Sequence, residues 1–280
     1  MSTKTDINMS QSQDVSRSPA GDFSEAVRSL NCAVERAVQI SSANIGIEHT
    51  GRQNRALFIF AKLIAHNLAL VALVQKYKEC TIGAALLDHF SIATLARAVI
   101  DACLMTMYIS EPTLSTDEWN LRRNILYLHD MTNRKRFLSS MTVGDVKPPF
   151  FETYEEKKRD LKEKIVMFGK RVGMTKDKVS ELQKGQAVFV SGARGAVREA
   201  GWNVDHFEFL QSYLSAYVHS HPVSFIRANE HGISFQTPSD FQFGISAFAL
   251  EASAHHTELV NERISVFCKS VCSDPLGQID

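Results

Sequence analysis

The sequence contains few residues that break regular structure, and it has no excess of charge of either sign. Its 280 residues include 14 glycines and seven prolines, and 31 basic residues are matched by 31 acidic ones. This glycine and proline content lies well below the usual fraction of about 12%. Collagen-like, low-complexity and loop-dominated folds are therefore excluded. The zero formal charge argues against a protein that binds nucleic acid through bulk electrostatics.

Cysteine is also scarce. The five cysteines, at positions 32, 80, 103, 268 and 272, form no C-x-x-C pair, so no disulfide framework, zinc knuckle or thioredoxin-type motif is predicted. Residues 1–21 are polar and rich in serine, lack the apolar core of a signal peptide, and are expected to form a disordered leader. Together these features predict a cytoplasmic protein with reduced thiols.

One apolar run, residues 56–74, is long enough to be considered as a membrane span. Lys62, His66 and Asn67 lie near its centre, where each would cost about 2 kcal/mol or more in lipid. We expect no second run of this kind that would shelter them. The sequence therefore predicts a buried core helix and no membrane partner.

The spacing of the prolines predicts long helices. Residues 20–111, 150–221 and 239–274 contain no proline, and apolar residues recur there with helical periodicity. The expected helices cover about 22–40, 53–77, 84–109, 117–140, 152–171, 176–183, 204–218 and 241–271. This pattern predicts an all-α fold, an antiparallel bundle of long helices. We expect one domain over 22–280, with residues 145–200 as a charged helical insertion or flap.

The predicted third helix carries a polar stripe in an otherwise apolar segment. Thr94, Arg97, Asp101 and Tyr108 share one narrow face at 100° per residue. Arg97 and Asp101 are four residues apart and are expected to form an ion pair. Two interpretations are open: a buried structural pair that fixes the helix register, or part of a functional pocket.

The predicted second helix has a similar stripe, formed by Arg55, Lys62 and His66. These residues either line a pocket between two core helices or extend to the surface with their apolar stems buried.

A third candidate is His219, which ends a predicted helix four residues after Ser215. Its imidazole is suited to general acid–base catalysis or ligand binding, and equally to capping the helix as a cation. His219, His221, His255 and His256 suggest a metal site. Because no Glu-x-x-His motif or ligand-spaced carboxylates accompany them, we expect neither a metal nor another cofactor.

The segments RALFIFAKLIAHNLALVALV, LARAVIDACLMTMYI and YLSAYVHSHP resemble a bacterial family of helical proteins catalogued as a domain of unknown function. Its members share an Arg-x-x-x-acid helix that leads to a tyrosine, and a later Ser-x-x-x-His helix end. The matching positions are Arg97, Asp101, Ser215 and His219. The family has glutamate at the acidic position, so Asp101 is a shortened version. The resemblance covers about 50–140 and 203–270, and implies an intracellular helical fold without an established activity.

The segment RRNILYLH, residues 122–129, resembles a motif of HEPN-type helical ribonucleases, in which an arginine precedes a histidine by four to six intervening residues. Arg122 and His129 are seven apart and share a helix face, whereas Arg123 points about 120° away. The resemblance implies metal-independent RNA cleavage. His129 would move the 2′-hydroxyl proton while an arginine stabilises the phosphorane charge.

Two functions are therefore open. The first is a HEPN-like ribonuclease in a toxin or phage-defence setting, which acts on RNA as a homodimer through Arg122, Arg123 and His129. The second is a non-catalytic helical module that binds a partner protein, with a structural Arg97–Asp101 seam. An arginine–histidine pair exposed on a groove or across a two-fold axis favours the enzyme, and a His129 packed in the core with Arg123 in solvent favours the module.

Overall fold

The computed structural model describes residues 18–79, 86–141 and 148–269, and this part of the chain contains helices and no strand. The all-α bundle predicted from the sequence is confirmed. The α-helices are α1 (Pro19–Ala43), α2 (Gly51–Glu79), α3 (His89–Ile109), α4 (Thr116–Met141), α5 (Phe150–Arg171), α6 (Lys176–Leu182), α7 (Gly192–Glu199), α8 (Val204–Val218) and α9 (Asp240–Phe267).

Local hydrogen bonds explain where these helices begin. The Ser115 hydroxyl accepts from the Glu118 amide at 3.3 Å, and the Glu118 carboxylate accepts from the Ser115 amide at 2.8 Å, so the two residues form a capping box at the start of α4. α3 begins at His89, later than expected, because the Asp88 carboxylate accepts from the Ser91 amide at 3.0 Å.

The first helix is longer than its pattern predicts. α1 begins at Pro19, with Ser18 as its N-cap. Residues 19–21, assigned above to a disordered leader, therefore belong to the helix. Proline is favoured in a first helical turn, because the amide groups there have no partner within the helix and proline therefore loses no hydrogen bond. The rest of the predicted leader, residues 1–17, lies outside the described residues.

The main core is formed mostly by α1, α2, α3, α8 and α9. α9 packs against α1 and α3, and α3 also packs against α2 and α8. Phe60, Leu63 and Leu70 of α2 are fully buried there. A buried hydrogen bond of 2.9 Å from the Asn67 amide to the Thr257 hydroxyl ties α2 to α9, so a polar residue of the apolar run has a specific partner.

A second apolar cluster joins α4 to α5 and α6. It is built from Leu121, Ile125, Leu128, Met131, Tyr154, Leu161, Ile165, Val179 and Leu182. The short helix α7, in a region where no helix was predicted, places Ala196 and Val197 in the main core. The charged segment expected at 145–200 thus contributes to both clusters, since α5 packs against α4 and α6 against α5, whereas α7 packs with α3 and α8.

The prediction that α2 is a buried core helix holds for only one side of the helix. Phe58 is 77% exposed and Leu68 is 48% exposed, because α1, α3 and α9 cover only the opposite side. Two helices are long and apolar enough to cross a membrane by length and composition, which corrects the expectation of a single such run. The most apolar stretch is 33% buried in α2 and 67% buried in α3.

Candidate functional site

Arginines bind the carbonyl groups at the C-terminal end of α3. Arg122 donates through Nη1 to the main-chain oxygen of Tyr108 at 2.7 Å. Arg52 donates through Nε to the oxygen of Ile109 at 2.8 Å, and also to the main-chain oxygen of Glu111. The last carbonyls of an α-helix have no partner within the helix and carry a partial negative charge. The guanidinium groups supply these carbonyls with hydrogen-bond donors and with a compensating positive charge.

A third arginine extends this cluster to a buried carboxylate. Arg263 donates through Nη1 to Oε2 of Glu111 at 3.0 Å. Burial alone would raise the pKa of Glu111, but hydrogen bonds from Thr113 and the charge of Arg263 hold it below its usual value. Glu111 is therefore ionised and paired, in a region where an unpaired carboxylate would be costly.

Arg122, a predicted catalytic residue, contacts Tyr108 at the end of α3 and Glu199 of α7. Its Nη2 forms an ion pair with Glu199 of α7, and its guanidinium carbon lies 4.0 Å from the centroid of the Tyr108 ring. The guanidinium of Arg122 is thus occupied by two groups of the protein itself, the Tyr108 carbonyl and the Glu199 carboxylate. The residue therefore connects α4 to α3 and α7.

Tyr108 lies apart from the polar stripe to which the sequence assigned it. Its hydroxyl accepts a hydrogen bond of 3.1 Å from the Val190 amide, and its ring meets that of Phe189 edge-on. Burial raises the pKa of Tyr108 to about 12, although the charge of Arg122 acts in the opposite direction. The phenol is therefore neutral and holds the segment before α7 against α3.

A cleft of about 380 Å³ opens beside Tyr108 and Arg122, between the two apolar clusters. Its other charged residues are Glu118 and Glu199. Hydrogen bonds from the amide and hydroxyl of Ser115 lower the pKa of Glu118. Among the described residues, no histidine lines this cleft, and the guanidinium of Arg122 is already paired with Glu199. The lining therefore offers no arginine–histidine pair for RNA cleavage.

Arg123 and His129 lie elsewhere on α4, and both are half-buried. Among the described residues, Arg123 has no hydrogen bond or ion pair. The His129 ring lies against the side chain of Asn133, whose Nδ2 is 3.1 Å from Nε2. No hydrogen bond in the described chain joins His129 to Arg123 or Arg122. The structure thus does not bring the three residues together as one bonded site.

Arg97 and Asp101 form the predicted ion pair, but it is not a buried seam. Their side chains are 20% and 54% exposed, respectively. Arg97 also donates through Nε to the Ser215 hydroxyl at 3.2 Å, and Asp101 accepts from Gln211 at 3.1 Å. The pair therefore links α3 to α8 at the edge of their contact, where α8 covers only part of the stripe.

His219 is exposed at the C-cap of α8 and stacks on His221, with ring centroids 5.5 Å apart. It forms no hydrogen bond or ion pair with Arg97 in the described chain. Ser215, four residues earlier, does contact Arg97. Of the positions shared with the bacterial family, the structure thus joins three and leaves the histidine apart. The described residues contain no group of three or more potential metal ligands.

The stripe of Arg55, Lys62 and His66 runs along the rim of α2. Lys62 is exposed and His66 is half-buried, and burial together with the charge of Lys62 lowers the pKa of His66. Arg55 bonds to the Tyr127 hydroxyl of α4. These positions favour the surface interpretation over an interior pocket. The Tyr127 contact was missed, since nothing in the helical periodicity relates α2 to α4.

Comparisons with known proteins give no match for this chain. No family model matches the chain, and no curated protein or solved structure matches it significantly. The resemblances to the bacterial helical family and to HEPN-type ribonucleases therefore stay predictions from the sequence.

Proposed function

We propose that the protein is a non-catalytic helical interaction module that binds another protein through the outer face of α2. The outer face of α2 consists of Phe58, Ala61, Lys62, Ala65, Leu68, Ala69 and Ala72, all of them exposed. The observation that carries the proposal is the exposure of Phe58 and Leu68 on a helix whose most apolar stretch has a mean hydropathy of 2.1. Contiguous apolar surface of this kind is typical of interaction sites.

The contacts of Arg122 support the non-catalytic part of the proposal. RNA cleavage needs a cation that can approach the scissile phosphate. The Arg122 guanidinium instead binds the Tyr108 carbonyl and the Glu199 carboxylate. Its role in holding α3, α4 and α7 together explains its position without a substrate.

Photocrosslinking in cells of the source organism tests the proposed surface. Phe58 is replaced by p-benzoylphenylalanine, a photoreactive derivative of phenylalanine. The matched control carries the same residue in place of Phe235, which is 62% exposed and lies outside α2. We expect a discrete protein adduct from position 58 only. No adduct, or the same adducts from both positions, would contradict the proposal.

A second candidate function is the HEPN-like ribonuclease, favoured by the partial exposure of both Arg123 and His129 on α4. Arg123 has no carboxylate partner among the described residues, so its charge is available to a phosphate. Arg123 and His129 share no hydrogen bond in the free protein, but catalytic hydrogen bonds often form only when substrate is bound.

RNA cleavage by the purified protein with EDTA present separates the two functions. The wild type is compared with Arg123→Ala, His129→Ala and His219→Ala. The interaction module predicts no cleavage by the wild type. Cleavage that is lost in Arg123→Ala and His129→Ala would favour the ribonuclease, and loss only in His219→Ala would place a site at the α3–α8 edge.

A further inference from the structure

We propose that the partner is a second copy of this chain, packed antiparallel on the outer face of α2 about a two-fold axis at Ala65. The inference rests on the proposed function for the surface, and adds the occupant and its orientation. Its basis is the arrangement of large and small side chains along the face.

The outer face of α2 consists of three parallel rows with a seven-residue spacing. The middle row is Phe58, Ala65 and Ala72, and it is flanked by Ala61 with Leu68 on one side and by Lys62 with Ala69 on the other. Apolar residues that recur every seven positions over three turns or more are the pattern of a helix that packs along another helix. The occupant that this pattern fits is therefore a helix.

An antiparallel two-fold pairing at Ala65 matches each large side chain with an alanine. Phe58 lies over the partner subunit's Ala72, and Leu68 lies over the partner subunit's Ala61. The stem of Lys62 lies over the partner subunit's Ala69. The surface is thus complementary to itself, as a two-fold interface requires. Alanine at the crossing point allows the helix axes to approach to about 8 Å.

The exposed area is sufficient for a weak to moderate dimer. Phe58 at 77% exposure, Leu68 at 48%, the alanines and the Lys62 stem expose on the order of 500 Å² per protomer, so a pair buries about 1,000 Å². This value is at the lower limit for a specific interface. We therefore expect dimerisation to depend on protein concentration.

Lys62 distinguishes a second copy from a lipid surface. Its charge lies in a flanking row of the outer face of α2, where insertion into hydrocarbon would cost about 2 kcal/mol or more. In the antiparallel pair the two Lys62 residues are about 9 Å apart along the helix axes. Each ammonium group can reach water at the flank while its stem covers apolar surface.

Sedimentation equilibrium of the full chain tests the pairing. We expect the wild type to shift from monomer to dimer with concentration. Ala65→Arg should be monomeric throughout, because two arginines would meet on the two-fold axis. Ala193→Arg, at an exposed helical alanine of α7, is the matched control and should dimerise like the wild type. Circular dichroism verifies that both variants fold. A monomeric wild type, or an Ala65→Arg variant that still dimerises, would overturn the inference.

Disulfide crosslinking tests the orientation. Under mild oxidation Ala65→Cys should form a covalent dimer, because the two copies of residue 65 meet at the axis. Phe58→Cys should not, since its two copies lie about 21 Å apart along the axis. The wild type, which has an exposed Cys32, gives the background. Crosslinking of both variants would indicate a parallel pair and overturn the antiparallel arrangement.

The photocrosslinking experiment separates failure of this inference from failure of the proposed function. An adduct of twice the chain mass from position 58 supports both. An adduct with a different protein overturns the second copy and leaves the interaction module in place. Binding to neutral phospholipid vesicles that Ala65→Arg abolishes, without a protein adduct, would overturn both.

Discussion

Arg122 of α4 donates a hydrogen bond of 2.7 Å to the main-chain oxygen of Tyr108, near the end of α3. The residue that gives this chain part of its resemblance to a ribonuclease motif is therefore a helix cap. It joins three helices through one planar group, since the same guanidinium also pairs with Glu199 of α7. Replacing a buried, paired arginine of this kind lowers the stability of the fold, so any loss of activity in such a variant must be compared with its loss of stability.

Arg122→Ala is expected to lower the free energy of unfolding by about 3 kcal/mol, because it leaves the Glu199 carboxylate and the Tyr108 carbonyl without their partner. Arg123→Ala is the neighbouring control on the same helix, and should change stability by less than about 0.5 kcal/mol. Urea unfolding of both variants measures the difference. Equal losses would show that Arg122 does not have the capping role assigned to it.

This result also affects any assay of RNA cleavage. If Arg122→Ala is unfolded at the assay temperature, its loss of activity carries no information about catalysis. Arg123→Ala and His129→Ala are therefore the informative variants for the ribonuclease hypothesis, and the stability of each should be measured beside its activity.

The free energy of unfolding should decrease as the pH falls, because the His256 side chain of α9 is buried. Burial lowers the pKa of His256 to about 4, against 6.5 in an unfolded chain, although its bond to the Ala252 carbonyl acts in the opposite direction. The unfolded state therefore binds the proton more readily. The contribution is complete above pH 6.5, and about 3 kcal/mol is lost as the pH falls to 4.

His256→Gln should reduce the slope of the unfolding free energy between pH 7 and pH 4, as measured by urea unfolding at several pH values. His255→Gln, at the exposed neighbouring ring, is the control and should retain the slope of the wild type. Some slope remains in His256→Gln, since burial also lowers the pKa of His89. An unchanged slope in His256→Gln would contradict the assignment.

The edge contact between α3 and α8 gives a third prediction. Ser215→Ala removes the hydroxyl that accepts from Arg97 Nε at 3.2 Å, and should cost about 1 kcal/mol in unfolding free energy. Ser212→Ala, at an exposed position of the same helix, should have little effect. Chemical denaturation of the two variants provides the comparison. A neutral Ser215→Ala would show that the Arg97 network contributes nothing to stability.

The helices were predictable from the sequence because their signals are local. The Ser115 and Glu118 capping box needs only a three-residue spacing, and proline-free periodic segments need only their own residues. The role of Arg122 was not predictable, since periodicity places it on a face with His129 but does not show that α3 ends opposite that face. The exposure of Phe58 was missed for a related reason: hydropathy describes a helix and not the helices that cover it.

Gly185 offers a test of how tightly the second apolar cluster is joined. Gly185 and Gly173 both have positive φ, 73° and 75°, so an alanine at either position meets the same left-handed strain of about 1 kcal/mol. A Cβ at Gly185 would also lie 2.4 Å from the Thr132 hydroxyl and 3.3 Å from the Leu128 carbonyl, whereas one at Gly173 meets nothing within 4 Å. Gly185→Ala should therefore lose about 2 kcal/mol more than Gly173→Ala. Hydrogen exchange of the α5 and α6 amides, compared between the two variants, should show the extra loss there. Equal exchange in both would mean that Thr132 moves aside without cost, and that the turn at Gly185 packs less tightly on α4 than these distances indicate.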